Sequence, residues 1–393
     1  MVIAKPVIKR KKFTLFGRDL CKETSTKGKD HQRAQGRDTL ASDNKWLKSL
    51  KLNLAYWAGR AVLQTRGVGA IVRLSRVRPR QRAPFQPLQA SEITPQFLDQ
   101  ALRALKSWNY DIVGIDEVCR RAVTMPEERR FVCLTFDGAS RDVINEAYPV
   151  LARHGVPFTV YVPTAFPDGL GQAWWLALEQ IIARESRLSL MIARDDRHFT
   201  IQTTAEKYEL YAFLSSWLRS LEPSDLSVAI NDLCKRYSVD LAALSREAFM
   251  DWTDLARLAA DPSVTIGSAT VNYPVLATLK DAAARREITM GRAVGETALH
   301  RQIRHFAYPF GDCESFRRAH LVMAEEAGFQ SAVSTLPGIV EAAGRTPLFE
   351  LPRIDWDGRL QSLRALRVLV SGATFAALKP ARSDFYSIDS INL

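Results

Sequence analysis

Two stretches decide the fold, Phe131-Val-Cys-Leu-Thr-Phe-Asp137 and Pro157-Phe-Thr-Val-Tyr-Val162. Both are almost wholly apolar and lack the in–out alternation of a half-solvated strand, so they read as strands covered on both faces. Between them Val143, Ala147, Val150 and Leu151 trace one helical face, which stops at His154-Gly155, with glycine suited to end a helix. Strand, helix, strand with fully buried strands predicts parallel pairing through right-handed crossovers. Upstream, Gly69-Ala-Ile-Val-Arg-Leu74 is a further apolar run, and Asp111-Ile-Val-Gly-Ile115 is a short strand that leads into a helix. Thr94-Pro95 opens another helix, with threonine at the cap and proline at the first position. Its apolar face is Phe97, Leu98, Ala101, Leu102 and Leu105. Downstream the alternation breaks over about residues 165–262, where helices are predicted at 174–184, 205–221, 224–237 and 252–260; this is a helical insertion or lid. It resumes with Ser263-Val-Thr-Ile-Gly, a helix over 279–302, His305-Phe-Ala-Tyr, a helix over 315–327, and Gln330-Ser-Ala-Val-Ser. The fold predicted is α/β, a distorted parallel (β/α) barrel with chemistry at the strand ends.

Composition agrees with a globular body. The 393 residues are 47% hydrophobic and 25% charged, which excludes a wholly disordered chain, a collagen-like fibre and a disulfide-stapled miniprotein. No apolar run reaches the roughly 18 to 20 residues of a membrane-spanning helix. Five widely spaced cysteines (Cys21, Cys119, Cys133, Cys234, Cys313) without a C-x-x-C pair point to a reducing compartment, hence a cytoplasmic location. The net charge of +11 is uneven: residues 1–89 hold 21 Lys and Arg against 5 Asp and Glu, and the remainder is net negative. No secretory signal is read at the start of the chain. Residues 1–44 read as a basic, disordered extension that charge alone would draw to an anionic membrane surface, nucleic acid or an acidic polymer. Residues 45–66 follow as an amphipathic basic helix, with Trp46, Leu47, Leu50, Leu54, Trp57, Ala61 and Val62 on one face. It either packs on its own domain or lies on a membrane, which would make the protein peripheral at the inner membrane. The barrel is assigned to 67–376 and a tail to 377–393.

The strand ends carry the functional reading. Leu134-Thr-Phe-Asp137-Gly-Ala-Ser-Arg-Asp142 sets a carboxylate just past a buried strand. Ala269-Thr-Val-Asn-Tyr273-Pro is a tight loop, and Arg304-His-Phe-Ala-Tyr308-Pro-Phe-Gly311 sets an arginine before a strand and a turn after it. With Leu351-Pro-Arg-Ile-Asp-Trp356, Tyr148-Pro-Val-Leu and Trp174-Trp175, in this order, they resemble the polysaccharide deacetylase family, which includes the nodulation-type chitooligosaccharide deacetylases. The resemblance implies a hydrolase of a non-peptide carbon–nitrogen bond that removes acetyl from an N-acetylated saccharide or polysaccharide. In that chemistry a divalent metal, usually zinc, held by an aspartate and two histidines, activates water.

The chain departs from that pattern at every metal position. The family's Thr-Phe-Asp-Asp-Gly is Thr135-Phe136-Asp137-Gly138-Ala139 here, which keeps the base position as Asp137 and puts glycine at the ligand position. The two histidine positions of the next motif are Ala269 and Tyr273. No cofactor is therefore expected, zinc included, and no metal ligands are assigned; the six histidines read as structural residues. Asp142 and Asp312 stand on loops that could approach the site. Asp137 with Arg304 resembles the base and its arginine partner, in either a substrate role or a salt bridge across the barrel mouth. The resemblance also implies that the backbone amide of Tyr308 would help hold an oxyanion, as in active relatives, and Pro309 shapes that turn. Trp252, Tyr273 and Trp356 either stack on sugar rings or pack internally. Three functions remain open: a degenerate deacetylase that binds saccharide without zinc-dependent turnover, an active deacetylase using Asp137 with an atypical metal or none, and an adaptor docked by its basic arm. No specific nucleic-acid partner is expected.

Overall fold

The computed structural model describes residues 67–124, 129–192 and 195–373. The extension 1–44, the amphipathic segment 45–66 and the tail 377–393 lie outside the described residues. In chain order, β1 (Gly67–Leu74), β2 (Arg76–Val77) and β3 (Glu92–Ile93) precede α1 (Pro95–Ser107), β4 (Asp111–Val113), α2 (Ile115–Val123) and β5 (Phe131–Asp137). Next come α3 (Tyr148–His154) and β6 (Phe158–Val162), then an insertion of α4 (Trp174–Arg184), β7 (Arg187–Ile192), β8 (Asp195–Thr200), α5 (Thr204–Arg219), α6 (Pro223–Arg236), α7 (Leu241–Ala248) and α8 (Trp252–Ala259). The barrel resumes with β9 (Val264–Ser268), α9 (Asp281–Leu299), β10 (His305–Ala307), α10 (Arg318–Glu326) and β11 (Ser331–Val333). It ends with β12 (Val340–Glu341), β13 (Ile354–Asp355) and α11 (Leu363–Ser371). Among the described residues no helix is long and apolar enough to cross a membrane.

The main sheet runs β11-β10-β9-β6-β5-β1-β12 and is parallel from β11 to β1. It curls back on itself: Val333 of β11 bridges Leu351, and β13, three residues on, pairs in parallel with β1. The two-sided burial of β5 explains its apolar sequence. Val132, Leu134 and Phe136 meet Leu98, Leu102, Val150 and Leu151 of the outer helices, while Phe131 and Cys133 face an inner core with Ile71, Tyr161, Ala307 and Val333. Thr94 caps α1 by accepting the Phe97 N–H at 3.2 Å, and Gly155 ends α3 at φ +60°.

The insertion has its own core, in which Leu178, Ile181 and Ile182 of α4 pack with Leu210, Leu214, Leu218, Ile230 and Leu233. A Thr203–Glu206 capping box holds the start of α5. Three elements of the insertion were not expected. The β7–β8 hairpin interrupts the helices, with Leu188 and Leu190 turned into this core, and α7 supplies one more helix.

Candidate functional site

A pocket of about 350 Å³ opens where the insertion meets the carboxyl ends of β1 and β5. Arg73, Arg76, Asp137, Gly138, Tyr273 and Phe310 line the barrel side; Trp175, Tyr211, Ser215, Arg219 and Phe249 come from the insertion. Asp137, the last residue of β5, has a side chain only 3% exposed. Arg353 grips it with both terminal nitrogens, Nη1 on Oδ1 at 2.7 Å and Nη2 on Oδ2 at 2.8 Å, and Arg73 Nε donates to Oδ2 at 2.7 Å. Burial pushes the Asp137 carboxyl upward, but the two guanidiniums outweigh it and hold the group down at about 2. Arg353 is itself fully buried and anchored, donating from Nε to the Ser334 carbonyl at 2.6 Å and from Nη1 to Thr135 Oγ1 at 3.2 Å. Arg73 is raised well above its usual range: burial lowers it, and Asp355 and Asp137 more than compensate.

The structure brings Asp137 and Tyr273 to this pocket and sends Arg304, Tyr308, Trp252 and Trp356 elsewhere. Arg304 is not the partner of Asp137. It sits before β10, at the start of a strand, and donates to Asp116 at 2.8 Å, which His305 also contacts at 3.0 Å. The partners are Arg73 and Arg353, and Arg353 was recognisable as an arginine inside the otherwise apolar Leu351–Ile354 run, where burial demands a counter-charge. The Tyr308 amide does not face the pocket either. It donates to the Val333 carbonyl at 3.1 Å as the sheet continues, while the hydroxyl donates to the Phe349 carbonyl and the ring stacks on Phe316. The amide that reaches the pocket is that of Phe310, which donates to Tyr273 Oη at 3.4 Å. Pro309 is buried in the turn before it. Trp252 packs against the outer core and donates to Asp168 at 2.7 Å; Trp356 is 5% exposed and lies edge-on to Phe97. Neither tryptophan lines the pocket. Its aromatic wall is instead Phe166, Trp174, Trp175, Tyr211, Phe249 and Phe310, together with Tyr273.

The loop carrying Tyr273 is held from behind by α9. Glu287 accepts from the amides of Val271 and Asn272 at 3.1 and 2.9 Å and from Asn272 Nδ2 at 2.7 Å. Gly291 lets the helix approach so closely that a Cβ there would lie 2.6 Å from the Thr270 carbonyl carbon. Four non-glycine residues in the loops around the pocket have left-handed backbone: Ala139 (φ +58°), Thr270 (+69°), Tyr273 (+57°) and Phe310 (+61°). Such conformations cost on the order of 1–2 kcal/mol each and collect where a site needs fixed geometry.

These groups offer little to a divalent cation. Gly138, at φ +92°, and the buried Ala269 offer no side-chain donor. Burial and the Asp137 charge raise the Tyr273 phenol above its usual value, so it stays protonated. Both oxygens of Asp137 are engaged by arginine, and among the described residues no three His, Cys, Asp or Glu stand close enough to share an ion. Asp142 and Asp312 do approach the pocket, but as partners of Arg76 (3.0 Å) and Arg219 (2.5 Å). The donor set does not fit the metal that the family resemblance implied.

Residues 218–332, from the end of α5 to β11, match the family model described as Polysaccharide deacetylase. The fold is similar to that of the Streptococcus pyogenes deacetylase PplD, solved in complex with acetate, at 17% identity and a TM-score of 0.51 over 77% of this chain and 99% of that one. It is similar also to IcaB from Ammonifex degensii, at 15% identity and a TM-score of 0.50 over 78% and 99% of the two chains. No curated protein matches the chain in sequence. The chain thus has the (β/α) barrel fold of the polysaccharide deacetylases and, over residues 218–332, the sequence pattern of that family.

Proposed function

We propose that this protein binds an N-acetylated saccharide at the mouth of its deacetylase-type barrel and does not hydrolyse it by the metal-dependent route. The observation that carries the reading is the double guanidinium clamp on Asp137. A divalent cation beside this carboxylate would meet two fixed positive charges and two oxygens already bonded to arginine, and Gly138 and Ala269 would add no ligand. A carboxyl held at about 2 is also a weak proton acceptor near neutral pH, because general-base efficiency falls as the pKa of the base drops away from the working pH. Aromatic faces from Trp175, Phe249, Tyr273 and Phe310 suit the apolar face of a pyranose, and the strained loops hold that wall in place.

The test combines metal analysis of purified protein, calorimetric titration with chitotetraose, and acetate release with and without added zinc or cobalt. Saccharide binding without acetate release, unchanged by chelator, is the expected result. Stoichiometric metal with acetate release that disappears in Asp137→Asn would overturn the reading in favour of an active deacetylase.

A further inference from the structure

We propose that the saccharide bound in this pocket carries an anionic group, a carboxylate or a phosphate, which is received by Arg73, Arg76 and Arg219. The inference rests on the saccharide-binding reading above and specifies the ligand class. Three arginines line the pocket, two from the barrel rim and Arg219 from the insertion; the only carboxylate among the lining residues is Asp137, already neutralised by Arg353 and Arg73. The acids that orient the other two arginines stand outside the lining. Asp142 and Glu92 take Arg76 Nε and Nη1 at 3.0 and 3.3 Å, and Asp312 takes Arg219 Nη2 at 2.5 Å with Ser315 Oγ at 3.0 Å. Asp355, itself 58% exposed, takes Arg73 Nη1 at 2.7 Å.

Each guanidinium is thus braced on one side and has N–H groups left over. Arg73 Nη2, Arg76 Nη2, and Nε and Nη1 of Arg219 have no hydrogen-bond partner among the described residues. Arg219 is further steadied with its guanidinium carbon 4.5 Å from the Phe310 ring centroid. Preoriented guanidinium donors in a partly enclosed, aromatic-walled pocket are the chemistry that recognises an oxyanion on a sugar: charge-assisted hydrogen bonds for the acid, ring faces for the pyranose. A neutral sugar could offer those donors only uncharged hydroxyl and acetamide oxygens, which make weaker hydrogen bonds than an oxyanion does.

Calorimetric titration of the full chain with matched probes tests this. Hyaluronan tetrasaccharide contains N-acetylglucosamine and carboxylates, N-acetylglucosamine 6-phosphate carries a phosphate, chitotetraose is N-acetylated but neutral, and inorganic phosphate is the bare anion. One or both acidic sugars should bind at least about tenfold tighter than chitotetraose at low salt, and which of them does so identifies the anionic group. The advantage should shrink as ionic strength rises from about 0.05 to 0.5 M, because screening weakens partly exposed charge pairs. Arg219→Gln should lower acidic-sugar affinity about tenfold; if that variant does not fold, the salt dependence of the intact protein decides. Chitotetraose binding as tightly as both acidic sugars overturns the anionic specificity and leaves saccharide binding standing. Inorganic phosphate matching the acidic sugars overturns it as well, since the site would then read only charge. If no sugar binds, the saccharide reading falls and this inference falls with it.

Discussion

Arg353→Met is the perturbation that most directly probes the Asp137 clamp. Methionine keeps much of the arginine stem's volume but deletes four hydrogen bonds, two to Asp137, one to Thr135 and one to the Ser334 carbonyl. Asp137 is then left buried with Arg73 as its remaining guanidinium. Removing one partner of a buried pair costs about 3–5 kcal/mol, since the other charge stays desolvated, and that is the loss expected in urea denaturation at neutral pH. Asp137→Asn should be costly for the mirror reason. The double variant removes both charges and should be less destabilised than the sum of the two by about 2 kcal/mol. The pH dependence has a definite sign. The folded carboxyl, at about 2, lies below its ordinary 3.8, so its contribution is full above 3.8 and is lost as pH falls through about 2. With Arg353 gone the folded value moves up towards 3.8, so the contribution is smaller and its loss on acidification is complete at a higher pH. Single variants each within about 1 kcal/mol of the parent, adding without coupling in the double, would refute the clamp as the organising feature of the site.

Glu179 on α4 is half-buried and pushed up to about 7 by burial and by Glu92, against the pull of Arg76 and Arg78. The folded state therefore holds this proton longer than the unfolded chain, so stability should decline as pH rises from about 4.5 to 7 and level off above; Glu179→Gln should remove the decline, and superimposable melting profiles would sink the assignment. Gly291→Ala drives a methyl into the Thr270 backbone, with an expected loss of about 1–3 kcal/mol and weaker saccharide binding through the displaced Tyr273 loop; unchanged stability would show that α9 does not press on that loop. Trp356→Ala should cost about 3–5 kcal/mol by emptying the contact with Phe97 while leaving saccharide affinity intact, and a selective loss of affinity would return this tryptophan to the site.

What could be read from residues alone depended on how local the cause was. β5 and β6 were legible because both faces of each strand are covered, which forces an apolar run whatever the partners. The α4 helix was legible for the same reason, since its apolar face is the centre of the insertion core. The β7–β8 hairpin was not: Asp195–Thr200 is almost wholly exposed and is a strand only because β7 pairs with it. At the site, Asp137 and Tyr273 were visible as strand-end residues, but Arg304 was expected beside Asp137 where Arg73 and Arg353 stand. The partners that won lie 64 and 216 residues away, brought in by the curl of the sheet. Trp252 and Trp356 show the limit of residue type, since an indole serves a core as well as a ligand, and the aromatic wall that does face the pocket comes largely from an insertion whose docking no short motif encodes.

The backbone at Gly138 bears on any attempt to engineer a carboxylate beside Asp137. At φ +92° this residue occupies a region that glycine enters freely and that side-chain-bearing residues enter at a cost of about 1–2 kcal/mol. An aspartate engineered there would strain the turn before it touched an ion, and a histidine at Tyr273 would inherit a second left-handed position. An aspartate placed at 138 alone therefore carries a backbone cost from the start, whereas position 273 already bears that cost as tyrosine. A new carboxylate at this strand end is therefore easier to gain by reshaping the Gly138 turn as a whole than by exchanging the one residue.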